Sequence, residues 1–292
     1  MAVVALIAVT AVWGVTFVQV KDAVALYPLF AFLAVRFAIA TATLAVPGSR
    51  RVRTLGGAGC AAGALLGLLL AGGYVLQTAG LERTTVSSTG FITGMYVVLT
   101  PLIALVLLRS RIAVAAWLGV ALSTGGLALL SGLHGGSAAG DLLVLAGAAV
   151  YSLQIVLMER FAPRYDAVAF TFVEMLAACV GLGVVAIARG ELGVPHGWTV
   201  WSALVVTGVF ASALAFLVQT WAQRRTSATR TALAFAMEPV FAAVFGITLA
   251  GDRLGVVGWA GCAAIMGGIL LAEPAAAAAL RAAVSRRRTT LR

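Results

Sequence analysis

The chain has 292 residues, 62% of them hydrophobic and 10% charged, against about 25% charged in an average soluble domain, a balance that excludes a soluble globular protein. Glycine, at 33 residues, exceeds the usual share of ~7% but has no three-residue period and lies inside apolar runs, which excludes collagen and flexible linkers and leaves close helix packing in lipid. The net charge of +10 does not point to nucleic acid, because so apolar a chain offers no aqueous face for a phosphate-binding groove; anionic lipid headgroups are the expected partners.

Reading between charges and turn residues gives ten stretches near the roughly 20 apolar residues that a bilayer core of about 30 Å requires. In chain order they are 2–20, 28–46, 59–79, 89–108 and 113–131, then 142–158, 168–188, 200–220, 232–249 and 255–271. The expected fold is an all-α membrane protein of ten transmembrane helices. The first stretch lacks the positive n-region and small-residue cleavage site of a signal peptide and is expected to be retained. Ten crossings put both termini on one side. With that side cytoplasmic, the inner loops and tail hold 15 of the 20 Lys and Arg, among them Arg51, Arg109, Arg111, Arg160, Arg164 and Arg224. The outer loops hold Lys21, Arg83, Arg189 and Arg253, and Arg36 alone lies inside a span. This bias predicts a multi-pass protein of the inner (plasma) membrane with both termini cytoplasmic. Residues 274–292 read as a basic cytoplasmic tail near anionic headgroups.

Strings that carry enzymatic chemistry are missing. Cys60, Cys179 and Cys262 sit in apolar runs without metal-ligand spacing and read as small buried hydrophobes, with no disulfide expected. His134 and His196 fall in expected loops, and no HExxH, GxSxG, CxxC or P-loop string occurs. No metal or cofactor is expected. An intramembrane hydrolase needs a nucleophile with its base or a metal, and a channel normally shows a ring of equivalent polar groups from several subunits; both readings rank behind a carrier.

The chain also contains itself twice. An offset of 142 places Gln77-Thr78 on Gln219-Thr220, Arg83-Thr84 on Arg225-Thr226, Trp117 on Trp259, and Gly125-Gly126 on Gly267-Gly268. An offset of 138 places Trp13 on Tyr151, Thr16 on Gln154, Arg36 on Glu174 and Pro101 on Pro239. Trp, Gln and Arg are scarce in lipid spans, so their agreement carries weight. Residues 1–132 and 141–273 are therefore expected to be two five-helix repeats. Five is odd, so the second enters the membrane from the opposite side, the inverted plan of secondary transporters with a site near the midplane.

At this point the residues resemble a known family, the EamA-like drug/metabolite transporters. The resemblance rests on Trp13-Gly14-Val15-Thr16-Phe17 in the first span, Arg36-Phe37 in the second, SSTGFITGMYVVLTP ending at Pro101 in the fourth, and Glu238-Pro239-Val240-Phe241 in the ninth. Gly-Asp-Arg-Leu at 251–254 stands where many members have Gly-Glu-Arg-Leu. It covers nearly the whole chain. What it implies is a ten-helix, ATP-independent carrier working by alternating access, commonly an exporter of amino acids or other small metabolites. A multidrug or cationic-compound exporter is the alternative.

The residues nominate a small-molecule site. Trp13, Thr16, Phe17 and Val20 share a helix face at spacings of three, four and seven, and the equivalent face of the sixth span carries Tyr151, Gln154 and Met158. Two readings stand for Trp13 and Tyr151: rings lining a cavity, or anchors at headgroup depth. Their positions well inside the spans favour the cavity. Tyr74 with Gln77, and Phe216 with Gln219, form a second related pair; bonds between helices satisfy such amides as readily as a substrate does, and Tyr96 is open to the same two readings. Arg36, Glu174 and Glu238 are the charges well inside spans, where a charge signals a function or a pair. Pairing of Arg36 with a glutamate is the expected outcome, one carboxylate being left for a proton or a cationic substrate. Pro101 and Pro239 kink the fourth and ninth spans, either as hinges or as static bends. Gly59, Gly63 and Gly67, and Gly90 with Gly94, read as packing surfaces.

Overall fold

The structure is a computed structural model that describes residues 1–84, 86–109, 112–131, 137–249 and 255–272. Arg111, His134, the 251–254 stretch with Arg253, and the basic tail lie outside the described residues. Within them every regular element is a helix. The elements are α1 (Ala2–Val24), α2 (Leu29–Arg51), α3 (Gly56–Leu81), α4 (Val86–Gly94), α5 (Tyr96–Leu107), α6 (Val114–Ser131) and α7 (Ala138–Phe161). They continue with α8 (Ala167–Ala188), α9 (Trp198–Val205), a π-helical stretch (Val206–Leu214), α10 (Ala215–Gln223), α11 (Ala228–Phe235), α12 (Glu238–Leu249) and α13 (Val256–Ala272). Six helical stretches are long and apolar enough to cross a bilayer, and one of them, Leu29–Leu81, runs for 53 residues, more than twice the roughly 20 that one crossing needs. Val114–Leu129 and Val256–Ala272 are shorter apolar helices.

Local chemistry explains most boundaries. Tyr27 precedes Pro28, which disfavours the α conformation before it, so α1 stops and Pro28 opens α2 with extended backbone (φ −53°, ψ 139°). α2 runs on through Pro47 to Arg51, past the boundary expected at 46, and a single 3-10 turn at Val52–Leu55 joins it to α3. That turn closes at Gly56 with φ +63°, a backbone conformation that disfavours any Cβ. Asp166 caps α8 by accepting from the Ala169 N–H at 3.0 Å. The fourth expected span is broken at Met95, between α4 and α5, and the ninth at Ala236–Met237, between α11 and α12. Pro239 has no N–H for the carbonyl four residues earlier, that of Phe235, and this carbonyl takes the Tyr96 hydroxyl at 2.8 Å instead.

Packing joins distant parts of the chain. α2 lies along α8, α3 along α7 and α8, α6 along α13, and α1 against the π stretch and α9 to α12. Between α6 and α13 the backbones nearly touch. A Cβ on Gly119 would lie 2.5 Å from the Gly268 carbonyl, one on Gly126 would lie 2.6 Å from the Gly261 carbonyl, and between them Ser123 donates to the Ile265 carbonyl at 3.4 Å. Numbers rise on α6 as they fall on α13, so the pair is antiparallel. The same holds for α2 and α8, where Gly48 meets Phe172 and the Cys179 thiol lies 3.9 Å from the Ala34 carbonyl. Of the predicted glycine ridges, Gly59, Gly63 and Gly67 press on Tyr165, Val173 and the Glu174 carbonyl, and Gly94 meets Leu127; Gly90 faces open space.

Polar contacts tie each end of the bundle. At one end Arg51 pairs with Asp166 at 3.5 Å and the Ala228 N–H donates to Glu159 at 2.7 Å. At the other, Lys21 donates to the Thr84 carbonyl at 3.0 Å, Thr84 donates to Asp141 at 2.7 Å, and the Tyr27 hydroxyl donates to the Gly193 carbonyl at 2.6 Å. Leu65, Leu68, Val184 and Ile187 are exposed on the outside of the bundle, the apolar surface that lipid covers.

Candidate functional site

A cavity opens where α1, α2, α3, α7 and α10 meet the two broken helices. It has about 680 Å³ free of atoms, its open mouth included. α1 turns Trp13, Thr16, Phe17 and Val20 toward it, the face read from the three, four and seven spacing. α2 supplies Arg36, α3 supplies Tyr74 and Gln77, α7 supplies Tyr151 and Gln154, α10 supplies Phe216 and Gln219, and the breaks deliver Tyr96 and Glu238. Eleven of the twelve nominated residues therefore line one space. The twelfth, Glu174, does not; it lies fully buried behind the wall and accepts from the Gln154 amide at 2.8 Å. Met158 also leaves the cavity and packs with Leu66, Ala162 and Phe170.

Trp13 and Tyr151 both lie at the wall of the internal cavity. The Trp13 indole N–H donates to the Ala211 carbonyl at 2.8 Å. Ala211 lies in the π stretch, and reversion from π to α spacing leaves a carbonyl without its helical partner, so the indole fills that need. Gly208 of the same stretch faces α2, where a Cβ would lie 2.8 Å from Ile39 and 3.0 Å from the Arg36 carbonyl. The Tyr151 hydroxyl donates to Gln77 at 3.1 Å, and Gln77 donates to Thr93 at 2.9 Å. Trp198 and Trp259 are exposed near the starts of α9 and α13.

Arg36 departs from the expected ion pair. It is 3% exposed, yet it donates to neutral partners, from Nε to Ser212 Oγ and from a terminal nitrogen to the Tyr74 hydroxyl, both at 2.9 Å. Its guanidinium lies 4.4 Å from the Tyr74 ring centroid. Among the described residues the ion pairs are Arg51–Asp166 and Arg189–Glu191, and neither involves Arg36. The π stretch brings Ser212 to Arg36, and Tyr74 adds a ring that attracts cations, so the guanidinium is held without a carboxylate. Of its five N–H donors two are engaged among the described residues, which leaves donors for a ligand.

Glu238 occupies another part of the wall, 3.2 Å from the Tyr96 hydroxyl. Rings bridge the two charged groups: Tyr74 to Phe216 at 6.4 Å, Phe216 to Trp13 at 5.8 Å, Trp13 to Phe235 at 4.8 Å and Phe235 to Tyr96 at 6.1 Å between centroids. Amides complete the wall. Gln219 donates to Gln154 at 3.1 Å and to Gln223 at 2.8 Å, and Gln223 donates to the Ile155 carbonyl at 2.8 Å. Sequence reasoning missed Thr93, Phe235, Ser212 and Gln223. Two had readable signals: Phe235 is four residues before Pro239, and Gln223 is one helical turn after Gln219. Ser212 had none, because its orientation depends on the π stretch.

The comparisons with known proteins follow the same plan. The model of the EamA-like transporter family matches residues 1–132 and 138–273. An uncharacterized transporter from Archaeoglobus fulgidus is 29% identical over 266 residues, covering 90% of this chain and 82% of its own. A protein known from a crystal structure superposes with a TM-score of 0.75 at 21% identity, over 94% of this chain and 97% of the other, a likeness of fold alone. Apolar spanning helices around a polar internal cavity, and a family match over nearly the whole length, make this chain a multi-pass membrane transporter that belongs to the EamA-like transporter family.

Proposed function

We propose that the protein is a secondary carrier that exports a small zwitterion, an amino acid with an apolar side chain, by alternating access. One observation carries this reading. The cavity wall holds a guanidinium and a carboxylate that are not paired with each other, joined by a line of aromatic rings. An α-carboxylate suits the free donors of Arg36, an α-ammonium suits Glu238, and the rings cover an apolar side chain. A drug-like cation has no group for Arg36, which disfavours the multidrug alternative.

The carrier reading uses ten crossings arranged as two inverted repeats. Reciprocal contacts support it: at the offset of 142, Gly119 and Gly126 of α6 correspond to Gly261 and Gly268 of α13, and each meets the counterpart of the other, as a two-fold relation requires. The pairs α2 with α8 and α6 with α13 are equivalents that run antiparallel, which is the direction change an inverted repeat imposes. The helix breaks at Met95 and Met237 share that offset, and discontinuous helices in matching positions mark carrier sites. We place both termini in the cytoplasm on the Arg bias, and the breaks act as the hinges of the rocking motion.

Counterflow in proteoliposomes tests the function. Vesicles loaded with unlabelled phenylalanine should accumulate labelled leucine or methionine saturably, and Glu238→Gln should lose its preference for the free amino acid over its N-acetyl form. Counterflow of hydrophobic cations with none of amino acids would overturn the substrate assignment, and flux that never saturates would replace the carrier with a pore.

A further inference from the structure

Glu174 has no part in the substrate reading, yet it is the most enclosed acid among the described residues. Its carboxylate is 0% exposed, one oxygen accepts from Gln154 at 2.8 Å, and the other, Oε2, has no partner among the described residues. Close packing holds it there, because Gly67 of α3 presses against its backbone carbonyl. A second buried acceptor, Gln219 Oε1, is also without a partner among the described residues, and Gln219 is bonded to the same Gln154 at 3.1 Å. Two empty acceptors thus flank one amide that itself lines the cavity.

We propose that Glu174 is the coupling site of the carrier, binding one proton that is exchanged for one substrate molecule across the membrane. The proposal rests on the carrier reading but not on the identity of the substrate. A bare carboxylate at this depth needs a cation. Sodium is a poor fit, because hard cations gather six or more oxygens, while the site offers one free carboxylate oxygen and one free amide oxygen. A proton on Oε2 meets the need alone and gives that oxygen a donor hydrogen. Charged groups around the site are few. α2 turns Arg36 toward the cavity that Gln154 lines, α3 turns Tyr74, α7 turns Tyr151 and α12 turns Glu238. The 3-10 turn against α8 carries Arg53, and neither α10 nor the π stretch has a titratable residue.

Gln154 transmits the proton's presence. Deprotonated Glu174 binds the Gln154 amide by a charge-assisted bond and sets it in the cavity wall for a ligand, whereas protonated Glu174 loosens that hold and weakens substrate binding, so that proton and substrate occupy the carrier in turn. The proton enters Glu174 from water on one face in the substrate-free carrier and leaves to the other face on the return; no bond other than O–H forms or breaks.

Proteoliposomes with an imposed pH gradient test this. Wild type should accumulate labelled leucine uphill when the gradient is applied, and a sodium gradient should have no effect. Glu174→Gln should keep leucine counterflow at saturating leucine within about twofold and lose the response to the pH gradient. Wild type that exchanges leucine but ignores the gradient, sodium-driven accumulation, or a gradient response surviving in Glu174→Gln would each overturn the proposal. If no amino acid exchanges at all, the substrate reading has failed, and infrared difference spectra between acid and alkaline media decide the coupling site. In Glu238→Gln a carbonyl band of a buried carboxylic acid should still titrate, and no such band would refute the assignment. The same spectra decide the matter if Glu174→Gln does not fold.

Discussion

Replacing Arg36 by glutamine separates a ligand-binding cation from one held for structure. In an ion pair, removing the cation strands a buried carboxylate and costs about 3–5 kcal/mol of stability. Arg36 has no such partner; its loss strands only the hydroxyls of Ser212 and Tyr74, which rotate to other acceptors. The two lost hydrogen bonds, at about 1.5–3 kcal/mol each for a charged donor, are offset by release of a buried charge, so the net change in stability should stay within about 1–2 kcal/mol. Binding should suffer far more. A substrate carboxylate that loses a buried charged partner forfeits about 2–4 kcal/mol, which at 1.36 kcal/mol per tenfold weakens Kd by about 30- to 900-fold. Radioligand binding in detergent beside urea or SDS unfolding measures both. An Arg36→Gln protein with wild-type affinity would rule out a substrate carboxylate at Arg36, and one that unfolds easily and recovers when Glu238→Gln is added would point back to an ion pair.

Tyr96→Phe should cost about 1–3 kcal/mol, because the Phe235 carbonyl is left without a donor; in a Pro239→Ala background, where a helical N–H returns, the cost should shrink, and strict additivity in the unfolding cycle would count against that account. Gly126→Ala should destabilise by about 1–3 kcal/mol through overpacking, since its Cβ would meet the Gly261 carbonyl at 2.6 Å, while Gly125→Ala, facing open space, should be neutral. Equal unfolding midpoints for the two would remove the α6–α13 contact from the argument. Burial raises the Glu82 carboxyl above its ordinary 4.5, against a smaller pull from Arg83 and with a further push from Glu191. The folded chain therefore keeps that proton longer than the unfolded one, and its contribution to stability falls as pH rises above 4.5; thermal scans of Glu82→Gln should lose that part of the decline, and an unaltered slope would contradict it. A cysteine placed at Arg51 should resist an impermeant reagent applied from outside intact cells, and labelling there would reverse the proposed orientation.

The helices were legible because each crossing needs a long apolar run and charges punctuate the runs: α3 at Gly56–Leu81 and α8 at Ala167–Ala188 fall within three residues of the stretches read as 59–79 and 168–188. What pattern reading does not register is backbone irregularity. Pro239 announces a kink, but the break one turn earlier, the π stretch, and the helix running through Pro47 depend on contacts made elsewhere in the chain. The cavity was legible for a similar reason. Polar and aromatic residues are scarce in lipid spans, so those present at helical spacing have few places to go. The roles of the charges were not legible, since pairing is decided by side-chain direction: Ser212, an unremarkable serine in an apolar segment, takes the place that a glutamate was expected to fill beside Arg36.

On the two-repeat reading Arg36 and Glu174 are equivalents, and so are Thr16 and Gln154, which makes the differing fates of the two charges a matter of one neighbour's length. Thr16 is short and its hydroxyl turns back to the Trp13 carbonyl at 2.9 Å, leaving Arg36 on the cavity wall. Gln154 is long enough to reach Glu174 at 2.8 Å and closes it off. Two open charges of opposite sign would attract each other by about 4 kcal/mol at 4 Å with an effective dielectric of 20, a bond that any substrate would have to break. Covering one of them with a neutral amide removes that competition. The cavity then presents Arg36 to a carboxylate, and the acid behind the wall communicates with the ligand through Gln154, the residue that touches both.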